Sequence, residues 1–176
     1  MELREGYKHT EVPIIPEDWE EINLDGLVKN NGLIRGPFGG SLKKEIFVES
    51  GIKIYEQKNA IYQNVEIGTY FINEEKYKEL NRFEVFENDF ILSCSGTIGR
   101  IFRIPQNPPK GIINQALLII RLNNSLIDFD YFYYQAQKYC PDIQFEWVKG
   151  HENNEYNNIA DKLAVEASHE FCGYEG

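Results

Sequence analysis

The sequence has no apolar run that approaches the ~20 residues a bilayer-spanning helix needs. Its longest, Ile112–Ile120, is interrupted by Asn114 and Gln115, so no membrane partner is expected. The charged N-terminus, MELREGYKHTE, lacks the apolar stretch of a signal peptide, and the expected compartment is the cytoplasm. Cysteine is scarce: Cys94, Cys140 and Cys172 stand far apart. That spacing gives neither a disulfide ladder nor a zinc pair and reads as three reduced thiols. Histidine is as sparse, with His9, His151 and His169 in contexts that offer no base to a nucleophilic serine, and the Gly-x-Ser-x-Gly elbow is missing. Internal repeats and low-complexity tracts are absent too. What is present is 176 residues, 42% apolar and 14% aromatic. That suffices for one ordinary domain with an appended element, and excludes both global disorder and two large independent domains.

Positive charge is in deficit overall, with 18 Lys and Arg against 28 Asp and Glu and a net of −10. Such a balance argues against a protein that coats nucleic acid without regard to sequence. The deficit is unevenly spread. Residues 1–25 carry −6 and residues 126–176 carry −7, whereas residues 26–125 carry +3. A polyanion would have to meet the weakly basic middle.

The pattern along the chain alternates short β-like runs with turns. Pro13 and Pro16 exclude helix, and Trp19, Ile22 and Leu24 read as the start of a strand anchoring the core. Gly32–Ser41 is glycine-rich and contains Pro37, which predicts an irregular, tightly turning loop. Ile52, Ile54 and Tyr55 read as a strand, Gln57-Lys58-Asn59 as a polar break at its end, and Ile61, Val65 and Ile67 as its β-like continuation. Glu74–Leu80 is the best short helix of the first half, with Tyr77 and Leu80 on one face. Val85–Leu92 reads as a strand pair broken at Asn88-Asp89, Ser93–Arg100 as a Gly/Ser loop and Ile101–Ile104 as a strand. Pro105–Gly111 reads as a turn, Asn114–Leu122 as one apolar strand, and Asp130–Tyr139 as a helix with Asp128 or Asp130 near its cap. Beyond it, Asp142–Lys149 alternates as a strand, Gly150–Asn158 is a polar loop, and Asn158–Phe171 repeats Ala160, Leu163, Ala164, Ala167 and Phe171 at helical spacing.

Three stretches carry chemistry. Gly36–Lys44 (GPFGGSLKK) lets backbone N–H groups approach an anion, with Ser41, Lys43 and Lys44 available to phosphates. It lacks the Gly-x4-Gly-Lys-Ser/Thr spacing of a P-loop, and its plain alternative is a structural turn with a solvated lysine pair. Ser95–Arg100 (SGTIGR) sets two hydroxyls and an arginine between strands. Gln57-Lys58-Asn59 and Asn114-Gln115 place amides at strand ends; Asn and Gln pair bidentately with adenine, as Arg and Lys do with guanine. Taken singly, each is an ordinary strand-end polar group.

Taken in order they are recognisable. IPEDWE at residues 15–20, RGPFGGSLKK at 35–44, QKN at 57–59, NDFILS at 88–93 running into SGTIGR at 95–100, and INQAL at 113–117 follow one another along the chain. The series closely resembles a target recognition domain of the specificity subunit of type I restriction–modification systems, over residues ~7–135. The resemblance implies a mixed α/β domain with a mixed or antiparallel sheet and few short helices. It implies recognition of double-stranded DNA without catalysis or cofactor, alongside methyltransferase and restriction subunits, and a homodimer is kept open beside that assembly. The loop set it points to is Arg35, Ser41, Lys43, Lys44, Gln57, Lys58, Asn59, Ser95, Thr97, Arg100, Asn114 and Gln115. Side-chain chemistry assigns Lys43, Lys44 and Arg100 to phosphates and Gln57, Asn59 and Gln115 to bases.

The chain departs from that pattern after the domain. Specificity subunits join two recognition domains by long helices, and the spacer helix expected after Tyr134 is missing from the sequence pattern. Residues 142–170 instead resemble the last strand, loop and helix of a ribonuclease H type 1 domain, with His151, Asn157 and Asp161 at the matching positions. The expected division is therefore a recognition domain at 1–138 and a strand–loop–helix fragment at 139–176. Two-metal cleavage needs several converging carboxylates, and Asp161, the one candidate metal ligand, cannot build such a site alone. Two other functions stay open: a ribonuclease-H-related nuclease, and a truncated or fused product that acts only by binding partner subunits.

Overall fold

The computed structural model describes residues 5–9, 14–18, 20–38 and 40–139. A short ribbon, β1 (Tyr7–Lys8) against β2 (Ile15–Pro16), precedes the main body. There follow β3 (Val28–Arg35), β4 (Ile52–Tyr55), α1 (Gln57–Ile61), β5 (Phe71–Ile72), α2 (Glu74–Leu80), β6 (Phe90–Ser93), β7 (Ile101–Arg103), β8 (Gly111–Ile113), β9 (Leu117–Leu122) and α3 (Phe129–Tyr139). Four strands form an antiparallel sheet in the order β3-β9-β6-β7. The other three form a mixed sheet, β5-β4-β8, antiparallel between β4 and β5 and parallel between β4 and β8. The expected mixed α/β class, with few short helices, is what the chain adopts. Among the described residues no helix is long and apolar enough to cross a membrane.

The period-two geometry of strands explains how these sheets share their side chains. On the four-stranded sheet, Ile34, Ile91, Leu117 and Ile119 face inward to Tyr55 and Ile113 of the mixed sheet and Ala60 of α1. The alternate residues Phe90, Leu92, Leu118, Ile120 and Leu122 face the other way, onto Ala136, Phe132 and Tyr133 of α3. Phe90 is wholly buried there, with Phe132 at 5.0 Å and Phe129 at 6.1 Å in edge-on contacts. The outer face of the mixed sheet, Ile52, Ile54, Ile72 and Ile112, is covered by Leu80 and Tyr77 of α2 and by Leu42, Ile46 and Phe47. Strands β4, β6, β8 and β9 are thus buried on both faces, which is why they read as nearly continuous apolar runs, whereas the edge strand β3 exposes Lys29, Asn30, Asn31 and Leu33.

The two longer helices carry sequence-encoded caps. The backbone N–H of Lys76 donates to Asn73 Oδ1 at 2.8 Å at the start of α2, and that of Tyr131 to Asp128 Oδ1 at 2.8 Å at the start of α3. Of the two aspartates considered for α3, Asp128 is the cap.

Several expectations are corrected. Gln57–Ile61 is a helix and not a break in β-structure, because Asn59 Oδ1 accepts the Glu56 backbone N–H at 2.8 Å and turns the chain; Val65 and Ile67 lie outside any strand. Asn114–Leu122 is not one strand. Asn114 Oδ1 accepts the Ala116 N–H at 3.0 Å, and the resulting turn moves the chain from the mixed sheet to the four-stranded one. The Gly32–Arg35 stretch belongs to β3, where Gly32 is needed because a Cβ would stand 2.6 Å from Arg121 O of the neighbouring strand. Ile22 is irregular and Leu24–Leu27 forms a 3-10 turn, so no strand starts there; Trp19 lies outside the described residues. Val85 precedes its strand as coil. The strand, loop and helix expected over 142–171, with His151, Asn157 and Asp161, also lie outside the described residues.

Candidate nucleic-acid interface

Strand register brings distant parts of the sequence to one edge. Arg35 at the end of β3 stands opposite Leu118, Ser93 at the end of β6 opposite Leu117, and Ile101 at the start of β7 opposite Leu92. In the mixed sheet Tyr55 and Ile113 are paired at the ends of β4 and β8. The loops that follow Arg35, Tyr55, Ser93 and Ile113 therefore all leave from the same end of the stacked sheets.

Close backbone contacts lock these loops together. The Gly36 N–H donates to Leu117 O at 3.0 Å, and a Cβ on Gly36 would stand 1.9 Å from Asn114 O, so only glycine fits. The Asn114 N–H in turn donates to Tyr55 O at 3.0 Å. Gly96 lies against the Gln57 amide, whose oxygen and nitrogen are both 3.1 Å from the place of its missing Cβ. Ser93 closes the 94–100 loop: its N–H donates to Arg100 O at 2.8 Å, and its Oγ accepts the Arg100 N–H at 2.9 Å. The sequence pattern pointed to Ser95 in this loop; the buried Ser93 is the serine that holds it.

The candidate residues divide into presented and structural groups. Lys43, Lys44, Ser95, Thr97, Arg100 and Gln115 are exposed. Ser41 is half-buried and its Oγ donates to Phe38 O at 2.9 Å, tightening the first loop. Arg35 is half-buried; its Nη1 donates to Leu117 O at 2.7 Å and its guanidinium lies 5.7 Å from the Phe38 ring centre. Gln57 is half-buried against Gly96, and Lys58 is tied to Glu56 Oε2 at 2.7 Å. Asn114 spends its oxygen on its own turn.

Asn59 is corrected outright. It is fully buried, and its Nδ2 donates to Asn64 O at 2.9 Å and Ile67 O at 2.8 Å while its Oδ1 holds the Glu56 N–H. With all of these bonds internal, it positions the loop and does not read a base.

Cations at this edge are only partly paired, Lys58 with Glu56. Among the described residues, Arg35, Lys43, Lys44 and Arg100 form no ion pair. Behind them, burial pushes the Lys53 ammonium below its ordinary pKa, and burial pushes the Cys94 thiol up despite the nearby Arg35 charge. Cys94 is a free thiol whose Sγ lies 3.4 Å from Leu92 O. Among the described residues no cluster of His, Cys, Asp and Glu is suited to a metal ion. Sequence reasoning passed over Phe38, whose ring is 68% exposed among these groups. Its signal was the one aromatic residue of the glycine-rich loop.

The sequence matches the family described as "Type I restriction modification DNA specificity domain" over residues 16–156. No curated protein matches it. Among solved structures it is similar to the HsdS subunit from Thermoanaerobacter tengcongensis, with a TM-score of 0.56 and 12% identity over 97% of this chain and 44% of that one. A second similar chain comes from a structure of the type I R-M system, titled for its complex assembly and conformational transition, with a TM-score of 0.55 and 11% identity over 93% of this chain and 42% of that one. At such identities the likeness is one of fold, and the chain spans less than half the length of either. The family match covers most of the residues that carry the converging loops, and by it the chain belongs to the type I restriction modification DNA specificity domain family.

Proposed function

We propose that residues 1–138 form a DNA target recognition domain that reads double-stranded DNA by sequence through the loops after Arg35, Tyr55, Ser93 and Ile113, without breaking or making covalent bonds. The observation that carries this is that these loops leave from one end of the sheets and bear Arg35, Lys43, Lys44 and Arg100, none in an ion pair among the described residues. Unpaired Lys and Arg release counterions from phosphates, while exposed amides such as Gln115 discriminate base edges. Lys43, Lys44 and Arg100 serve phosphates; Gln57 and Gln115 serve bases, with Arg35 behind them.

With a net charge of −10, affinity depends on that edge alone and on partners. The partners proposed are the methyltransferase and restriction subunits of a type I system, in the cytoplasm, which fits the family to which the matched residues belong. The fragment 139–176 is proposed as an appendage without ribonuclease activity, since Asp161 is its one candidate metal ligand. An Mg2+-dependent assay on an RNA–DNA hybrid, with Asp161→Asn as control, should show no cleavage.

Gel shifts at low salt, with a methyltransferase subunit present, test the main reading. A preferred half-site of a few base pairs is expected. Removing Lys43, Lys44 and Arg100 together should weaken every duplex alike and flatten the dependence of log K on log salt by about 0.9 per lost phosphate contact. Equal binding of all duplexes, or binding of none, would defeat the reading.

A further inference from the structure

Resting on that reading, we infer that Phe38 is an apolar wedge that enters a base step of the duplex bound at this edge. Single exposed apolar side chains are ordinary, and Tyr131 and Tyr134, exposed on α3, call for no special account. Phe38 differs from them in seating and in surroundings.

Its seat is rigid. The loop starts at Gly36, pressed against Asn114 O, and the Phe38 carbonyl is held by Ser41 Oγ at 2.9 Å. The neighbouring Arg35 guanidinium, 5.7 Å from the ring centre, is itself fixed to Leu117 O at 2.7 Å. With the backbone tied in this way, the ordering that insertion still requires is confined to the side chain's own torsions.

Its surroundings select the occupant. Arg35 beside the ring, and Lys43 and Lys44 further along the same loop, carry positive charge without an ion pair among the described residues, and Glu45 is the one carboxylate within residues 35–45. An exposed apolar ring on a loop that bears unpaired cations suits a ligand with an anionic outside and a stacked aromatic inside, which is the cross-section of a nucleic-acid duplex. Phenylalanine wedges of this kind unstack a base step and bend the helix. Because every base has a π-face, the contact tolerates any sequence. The ring therefore adds affinity and deformation, and leaves base identity to the amides.

The test uses the full chain and duplexes carrying its preferred site, with 2-aminopurine placed in turn at each step. Wild type should raise the fluorescence at one step several-fold, and Phe38→Ala should abolish that rise and weaken binding by about 10-fold. Phe38→Leu should keep most of the rise, and Lys43→Ala/Lys44→Ala should keep it at saturating protein while flattening the salt dependence. Equal fluorescence from wild type and Phe38→Ala at saturation, or no rise with a wild type that binds specifically, overturns the wedge alone. Unchanged DNA binding by Phe38→Ala, with loss of co-purification with a methyltransferase subunit, overturns it in favour of a protein contact. Failure of wild type to bind any duplex overturns the wedge together with the recognition function.

Discussion

The two ends of the four-stranded sheet use the same side chains for opposite purposes. At the far end, Arg121 donates from Nε and Nη2 to both oxygens of the buried Asp89, each at 2.8 Å, and to Glu84 O at 3.0 Å. Arg103 there reaches Asp130 Oδ1 at 2.6 Å and Asn88 Oδ1 at 2.8 Å. At the loop end, Arg35 bonds a carbonyl and the Arg100 guanidinium stands exposed, neither with a carboxylate. An arginine with its acid nearby is part of the scaffold, and one left without an acid is free to neutralise a charge from outside. Among the described residues, Arg103 and Arg121 are thus spent on acids of the fold, whereas Arg35 and Arg100 are not.

The sharpest way to break this comparison is to exchange its terms. Arg121→Ala leaves Asp89 buried and uncompensated, and should lower stability in urea by about 3–5 kcal/mol. Arg100→Ala should change stability by less than about 0.5 kcal/mol and show itself only in the salt dependence of DNA binding. Equal stability losses in the two variants would erase the distinction between the ends. Within the loop end the same contrast separates two amides. Asn59→Ala strips buried groups of their partner and should cost about 1–3 kcal/mol of stability. Gln115→Ala should leave the urea midpoint alone and relax preference at one base pair, by about 1–3 kcal/mol in discrimination.

The smallest effect concerns Lys53, behind the loops. Burial holds its ammonium below the ordinary value of 10.5. Between that lowered value and 10.5 the unfolded chain keeps a proton that the folded chain has released. Stability attributable to this residue therefore rises with pH through the interval. Wild type minus Lys53→Met, from urea midpoints taken at intervals up to pH 10.5, should grow in favour of wild type. A flat difference would place the ammonium in water.

Much of this architecture is legible in the sequence, for definable reasons. The second and third helices announce themselves through an amphipathic face and an Asn or Asp three residues before a bonded N–H, and β4 through its isolated apolar run. The first helix is hidden because Gln57-Lys58-Asn59 advertises polarity, while the decisive fact, an Asn59 amide wholly enclosed, depends on carbonyls of residues 64 and 67 that fold back over it. The turn between β8 and β9 is hidden because apolar residues flank it on both sides and the strands belong to different sheets. For the site, glycine and amide content mark the right loops. Which arginine is neutralised is invisible, since Arg103 and Asp130 lie 27 residues apart and Arg121 and Asp89 lie 32 apart.

The 1.9 Å approach between the place of a Gly36 Cβ and the Asn114 carbonyl has a consequence for how binding preference can be altered. Two segments nearly eighty positions apart are held like parts of one casting, so lengthening or shortening either would displace the other. Redesign of what this surface selects should proceed by exchanging tips such as Gln115 one at a time, on a frame whose dimensions are kept.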